Sequence, residues 1–390
     1  MIPTPIEPGS VLGVLGAGQL GAMFASAAVR SGYRVAVWDP DPDAPAHRLA
    51  THSFAKPFID QQAFAQFSGL VSVVTYEWEN VPAQLCQQLE QTKPVRPSSE
   101  ILRVIQDRLV QKQFLADQGF PVPRFTVLTS PDRLGEVIRQ LDGPAFCKTS
   151  TAGYDGKGQW RIGCESDVPE IEESLHVSAR SGSKWIIEAY VPFEKELSIL
   201  VARGTNGQSA VYPLAENEHE EGILRTTLVP AAVPSMVVEQ AVRLARDVVE
   251  RMQGVGLFCL ELFELAGGAL LINEVAPRPH NSGHYTLDAC SVSQFEQQVR
   301  AICGLPLGEA RLLSPAAMVN LIGDDATTIG TGAECRALLD LPGAHVHLYG
   351  KRTTRPGRKM GHVTFLADHL HTAQDRATRL RRSLILERQH

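Results

Sequence analysis

Two stretches of this chain hold residues whose types and spacing could do chemistry. In the first, an apolar run (Pro144–Cys147) ends on Lys148, and a loop follows with glycines at 153, 156 and 158, plus Tyr154, Asp155 and Lys157. Glycine admits positive φ and lets backbone N–H groups close on an anionic ligand. The two lysines supply cationic points where phosphate oxygens would lie. A glycine cluster is equally the mark of a solvated hairpin tip, and the segment alone leaves both readings open.

The second stretch, Cys259–Glu274, sets two apolar runs around Gly267-Gly268 and predicts a β-hairpin. With a two-residue turn at 267–268, Ala266 faces Ala269 and, counting outward, Glu261 faces Glu274. Opposed side chains on one face have Cβ atoms about 4.5–5.5 Å apart, where like charges are destabilising. A hard cation compensates: Mg²⁺ takes a few carboxylate oxygens and completes its shell with water and phosphate. Asn273 could add one more oxygen. A three-residue turn would instead set Glu261 against Asn273, an ordinary pair. Taken together, a lysine-bearing glycine loop and an acid pair for Mg²⁺ describe a nucleoside-triphosphate site, where the protein mainly positions groups and neutralises charge. The chain has no Gly-x-x-x-x-Gly-Lys-Ser/Thr run and no His-Arg-Asp or Asp-Phe-Gly triplet, so it is neither a P-loop enzyme nor a protein kinase.

Residues 11–100, upstream of these groups, alternate strand and helix. Val11–Leu15, Tyr33–Trp38 and Leu70–Thr75 read as strands, and Gln19–Arg30 and Val81–Thr92 as helices. That alternation implies a parallel sheet with right-handed crossovers. The first turn, Gly16-Ala17-Gly18-Gln19-Leu20-Gly21, matches Gly-x-Gly-x-x-Gly, and Asp39 follows about twenty residues on, as a dinucleotide fold asks. Any βαβ unit that presses a helix against a strand uses the same turn. An NAD(P)-dependent oxidoreductase is therefore an alternative, one that leaves the Lys148 loop and the acid pair unexplained. Residues 101–118 read as helix carrying Arg108 and Lys112, and Pro121-Val122-Pro123 as a boundary. Residues 124–190 read as a compact α+β stretch. The remainder reads as a larger α+β unit whose clearest helix is Ser235–Met252.

Composition narrows the class. A chain of 390 residues suffices for two or three domains. A net charge of −6 and a pI near 6.1 argue against nucleic acid as a partner. Seven cysteines without a Cys-x-x-Cys pair read as small buried hydrophobes in a reducing cytoplasm. No run reaches bilayer-spanning length, and the proline-rich first ten residues lack the basic region of a secretion signal. The expectation is a cytoplasmic protein with small-molecule partners and neither nucleic acid nor membrane.

The order of Gly16–Gly21, Lys148, Gly153–Gln159, Glu188–Val191, Glu196, Glu261 and Asn273-Glu274 resembles the ATP-grasp superfamily. Within it, Gly153–Gln159, the twelve-residue run Asn273–His284 and Arg358–His362 resemble the N5-carboxyaminoimidazole ribonucleotide synthetases, over a span from about residue 11 to beyond 360. The resemblance implies α/β and α+β architecture: an ATP-grasp fold with an N-terminal Rossmann-like parallel-sheet domain (1–105), a small lid domain with a glycine flap (106–190), and a large domain with the C-terminal region (191–390). It implies ATP-dependent carboxylation of aminoimidazole ribonucleotide with bicarbonate, by way of carboxyphosphate, in purine synthesis, and a homodimer. The runner-up is another ATP-grasp ligase, such as a formate-using ribonucleotide transformylase.

Residue roles follow from the same resemblance. Arg108 and Lys148 would meet ATP phosphates under a flap made of Gly153, Tyr154, Asp155, Gly156, Lys157, Gly158 and Gln159. Glu188, Ala189, Tyr190 and Val191 would hold the adenine edge by backbone groups, with Glu196 on the ribose and His219 also reaching the nucleotide. Glu261 and Glu274 would bind Mg²⁺, with Asn273 beside them. Gln19 and Glu77 would face the imidazole of the substrate, with Tyr154, His280 and Asn281 near it. Arg278, Lys351 and Arg358 are candidates for its phosphate. Asp155 and Lys351 would manage protons and the carboxylated amine, and Arg278 is a further catalytic candidate. His280 and His284, four apart but beside Pro279 and Gly283, read as loop hydrogen-bonders rather than metal ligands. The sequence departs from the family pattern at Ala152, where another glycine is usual.

Overall fold

The protein is described by a computed structural model covering residues 4–141, 143–151, 158–179 and 183–387. Its first sheet is parallel, in the order β3-β2-β1-β4, built from β1 (Val11–Leu15), β2 (Arg34–Trp38), β3 (His52–Phe54) and β4 (Val73–Tyr76). Helices α1 (Gln19–Arg30), α2 (Gln61–Leu70) and α3 (Ala83–Glu90) complete this part. β1, β2 and β4 are covered on both faces, which is why they read as unbroken apolar runs. The strand expected from Leu70 starts at Val73 because α2 runs through Leu70.

The helix expected over 101–118 is two, α4 (Ser99–Gln106) and α5 (Arg108–Asp117). Asp107 leaves helical geometry at φ −113° and ψ 111°, and its carboxylate accepts from the N–H groups of Leu109 and Val110. An acid used as an N-cap interrupts a periodic pattern without altering it. The interruption matters for placement. Asp107 bridges to Thr151, and the N–H of Arg108 donates to the Ser150 carbonyl at 2.8 Å, so Arg108 is tied to the entrance of the glycine loop.

The second sheet is antiparallel, β5 (Phe125–Leu128), β6 (Ala145–Thr149), β7 (Gln159–Ile162) and β8 (Trp185–Ala189) in the order β5-β8-β6-β7. Leu134, Val137 and Ile138 from α6 (Leu134–Leu141) and Ile171 and Leu175 from α7 (Val168–Ser178) pack on it.

The third sheet has nine strands: β9 (Phe193–Arg203), β10 (Ser209–Val211), β11 (Ala215–Glu220), β12 (Ile223–Val229), β13 (Gly256–Leu265), β14 (Leu270–Ala276), β15 (Ala316–Ile322), β16 (Ala344–Leu348) and β17 (Lys359–Leu366). The order is β14-β13-β9-β11-β12-β15-β17-β16, with β10 on β9. Helix α8 (Ser235–Arg251) buries Val237, Ala241, Ala245, Val248 and Val249 against it, the face its periodicity predicts. After α9 (Thr286–Ala289), α10 (Gln294–Cys303) places Phe295, Val299 and Ile302 in one cluster with Leu20, Phe24 and Ala28 of α1. That cluster packs the first sheet's helix against the third unit. Among the described residues, no helix is long and apolar enough to cross a membrane.

Candidate active site between the three sheets

A cavity of about 1080 Å³ opens where the three sheets meet, with walls from all of them. The β13–β14 hairpin forms its floor. Its turn is a three-residue loop, since the N–H of Leu265 donates to the Ala269 carbonyl and Glu264 pairs with Leu270. Continued inward, that register would set Glu261 against Asn273. A β-bulge intervenes: Leu262 pairs with Ile272, but Glu261 pairs with Glu274, leaving Asn273 as the extra residue. The expected acid pair is therefore present by a different route from the two-residue turn. Successive strand residues normally face opposite ways, and the bulge turns both Asn273 and Glu274 to the cavity.

α5 supports the bulge. Lys112 Nζ donates to the Asn273 carbonyl at 2.6 Å, and the side-chain amide of Gln111 both donates to and accepts from the backbone of Val275. These bonds cover the outer edge of β14, which would otherwise carry unpaired backbone groups.

The two acids sit in unlike surroundings. Glu274 Oε2 is 2.7 Å from Arg108 Nη1. Glu261 Oε1 is 3.2 Å from His280 Nε2. Burial, then the neighbouring charge of Glu274, raise the pKa of Glu261. His280 is buried, and burial, followed by the nearby Arg278 charge, takes its pKa down to about 3, so it faces Glu261 as a neutral imidazole. His280 thus does more than hold its loop, although it also contacts Ser282 at 2.8 Å. His284, fully buried, contacts Gln294 and lies off the cavity wall.

Lys148, next to last in β6, reaches Glu188 on β8 at 2.5 Å, while Lys112 reaches the other oxygen of Glu188 at 2.8 Å. Burial alone would raise the Glu188 pKa, but the two ammonium groups outweigh it and bring it to about 2. Beyond Glu188, the N–H groups of Ala189 and Tyr190 donate to Arg124 and Pro144, so not every backbone group of the 188–191 segment is free for an adenine edge. Glu196 and His219, on adjacent strands β9 and β11, form an ion pair. Burial opposes a charged His219, but Glu196 prevails and raises its pKa. Gly158 has φ +69° and Gln159 opens β7. Gly153, Tyr154, Asp155, Gly156 and Lys157 lie outside the described residues.

The first sheet contributes the far wall. Glu77 follows β4, and its carboxylate accepts from Gly18 N–H at 2.6 Å and Gly21 N–H at 2.9 Å, while Asp39 accepts from Ala17 N–H at 2.8 Å. These are the donors a dinucleotide pyrophosphate would need at the N-terminus of α1. A Cβ on Gly18 would lie 2.6 Å from Glu77 Oε1, and one on Gly16 2.5 Å from Glu77 Cγ. The glycine fingerprint therefore accommodates an internal carboxylate, which disposes of the oxidoreductase alternative. Glu77 and Gln19 both line the cavity.

Arg278 is bound by both oxygens of Glu79, one contact measuring 2.7 Å. Burial would raise the Glu79 pKa, but Arg278 overrides it and takes it to about 2. Lys351 Nζ donates to the Lys359 carbonyl at 2.7 Å, and burial, with Arg358 next, lowers its pKa to about 8. Arg358 bonds Thr353 and lines the same wall. The amide of Asn281 is buried against the cavity with neither polar atom partnered among the described residues, a cost that a polar ligand relieves. Sequence reasoning assigned no role to Glu79, Lys112 or Asp107. Each acts through another side chain or a backbone group, and no motif spacing announces that.

Residues 10–106 match the family model of the ribonucleotide synthetase preATP-grasp domain, 113–295 the ATP-grasp domain, and 316–376 the phosphoribosylaminoimidazole carboxylase C-terminal domain. The chain is 38% identical to the N5-carboxyaminoimidazole ribonucleotide synthase of Bacillus subtilis, over 93% of this chain and 92% of that protein. An ADP complex of an N5-carboxyaminoimidazole ribonucleotide synthetase superposes with TM-score 0.92 at 38% identity, covering 99% of both chains. The Aspergillus clavatus enzyme bound to ADP and 5-aminoimidazole ribonucleotide gives 0.87 at 32% identity, covering 96% of this chain and 98% of that one. Sequence, fold and site geometry agree: the chain belongs to the N5-carboxyaminoimidazole ribonucleotide synthases, a family of ATP-grasp ligases.

Proposed function

We infer that this protein is a ligase that converts 5-aminoimidazole ribonucleotide to N5-carboxyaminoimidazole ribonucleotide in an ATP-dependent step of purine biosynthesis. The observation that carries the reading is one cavity that joins the Glu261–Glu274 pair and Lys148 to a second set of cationic groups, Arg278, Lys351 and Arg358. Two anionic substrates need two such sets.

The geometry supports the following roles. Lys148 and Arg108 neutralise the triphosphate tail, and each is held by a carboxylate, Glu188 or Glu274. Glu261, Glu274 and the Asn273 amide are hard oxygen donors and fit Mg²⁺, which supplies charge neutralisation at the transferring phosphate. The destabilised Glu261 carboxylate supports that fit, since a bound cation relieves it. A bicarbonate oxygen displaces ADP from the γ-phosphorus to form carboxyphosphate. The exocyclic amine of the imidazole then takes the carboxyl group, releasing phosphate and a proton. Arg278 offers a guanidinium to the ribonucleotide phosphate, and Lys351, with its lowered pKa, is placed to manage a proton at the amine. Six of the seven cysteines are buried, Cys164 alone departing from the expectation by being exposed, and all are free thiols, which supports a reducing cytoplasm; the family resemblance supports a homodimer, which sedimentation tests.

An ADP-release assay tests the reaction. ADP release should require both bicarbonate and aminoimidazole ribonucleotide. Release indifferent to the imidazole overturns the reading, and formate replacing bicarbonate would mark a transformylase.

A further inference from the structure

A second group of ligand-type side chains lies off the cavity, where α9 meets the edge pair β16–β17. His345 and His347 are two apart on β16 and share one face of the strand. His362 on β17 lies directly across from His347, and Asp288 comes from α9. One donor atom from each of Asp288, His347 and His362 falls within 4.8 Å of the others. His347 Nε2 is 2.9 Å from Asp288 Oδ2, and His345 Nδ1 is 3.6 Å from Oδ1.

Hydrogen bonding inside the cluster does not account for all of it. His362 is fully buried, and its Nδ1 lies 2.9 Å from the Tyr349 hydroxyl, yet Nε2 has no partner among the described residues. An unsatisfied buried polar atom costs about 1–3 kcal/mol. A proton on Nδ1, donated to Tyr349, leaves the lone pair on Nε2. Hydrogen bonds of this kind orient metal-binding histidines.

We propose that Asp288, His347 and His362 form a site for a borderline divalent ion of the Zn²⁺ type, with His345 in reach as a fourth ligand. Imidazole nitrogens with one carboxylate oxygen suit such an ion better than Mg²⁺ or Ca²⁺, which take oxygen shells. Binding replaces the His347–Asp288 hydrogen bond. It also turns the His347 ring, now stacked on His362 at 4.5 Å and 15°, toward the Nε2 of His362, whose own ring stays held by Tyr349. The ion would join the segment that carries Arg278, His280 and Asn281 to the strands flanking Lys351 and Arg358. Its role is structural, away from the phosphoryl transfer.

The test uses the full-length protein, stripped with a chelator and titrated with Co²⁺ and then Zn²⁺. One Co²⁺ per chain should give the strong visible absorption of a low-coordinate nitrogen–oxygen site, and Zn²⁺ should displace it and raise the unfolding temperature. In His347→Gln the affinity should fall at least about tenfold, and Asp288→Asn should behave alike, with circular dichroism confirming that both variants fold. Glu274→Gln should keep the absorption, which separates this site from the carboxylate pair. No absorption, absorption that survives in both His347→Gln and Asp288→Asn, or absorption lost in Glu274→Gln identifies a hydrogen-bonded cluster only and overturns the proposal.

Discussion

Arg108 Nη1 lies 2.7 Å from Glu274 Oε2, across the strand pair from Glu261. A guanidinium from the start of α5 therefore neutralises one of two opposed acids, and a neutral His280 faces the other. The arrangement carries more negative charge than its own guanidinium balances, an excess that a divalent cation would relieve.

Glu274→Gln should abolish turnover while leaving the fold intact. Removing one carboxylate takes away charge neutralisation worth several kcal/mol, roughly a hundredfold or more in rate. ADP release and circular dichroism measured on one preparation check it, and near-normal turnover contradicts the metal assignment.

Glu261→Gln should separate stability from activity. The folded state raises the Glu261 pKa, so the carboxyl binds its proton more tightly folded than unfolded. Its ionisation therefore destabilises the protein once pH rises above the ordinary carboxylate range. Without Mg²⁺ at neutral pH, the glutamine variant should unfold at a higher temperature than the parent and be inactive. A lower unfolding temperature would show that the acid pair is not strained.

On the acid side the sign reverses. Glu79 and Glu188 have folded pKa values near 2, below their ordinary 4.5. Their contribution is complete above about pH 4.5 and is lost as pH falls toward 2. Glu188→Gln should flatten that slope and, by leaving Lys112 and Lys148 without a full counter-charge, cost about 3–5 kcal/mol. Urea denaturation across this pH range reads both effects.

Lys351 should report on pH above neutrality. Its ammonium, with a pKa near 8, loses charge in mildly alkaline buffer. If that charge helps hold the substrate, KM for aminoimidazole ribonucleotide should rise through that range while KM for ATP stays level. Lys351→Arg should remove the inflection, because guanidinium keeps its proton. Parallel changes in both KM values would place Lys351 elsewhere.

The parallel first sheet and α8 were legible in the sequence because apolar periodicity reports burial, and both are built from it. The acid pair was legible too, although the turn that was expected to align it differs. A three-residue loop moves the register and the bulge at Asn273 moves it back. Bulges leave little trace in a hydrophobic pattern. The break at Asp107 was hidden for a similar reason, since an N-cap inserts into helical spacing without changing it. The Gly-x-Gly-x-x-Gly turn showed its shape but not its occupant, because Glu77 arrives from 56 residues beyond Gly21.

Loop length and bulge in the β13–β14 hairpin cancel one another, so the bulge decides which way the strand between turn and acid faces. A chain one residue shorter at Ala266–Gly268 could pair straight through and still bring the same two carboxylates face to face, but every side chain from Leu270 to Asn273 would change sides. Leu270 and Ile272 would be turned out of the core and Asn273 into it, so the kink is what lets one hairpin keep both an apolar underside and three oxygen-bearing groups above it.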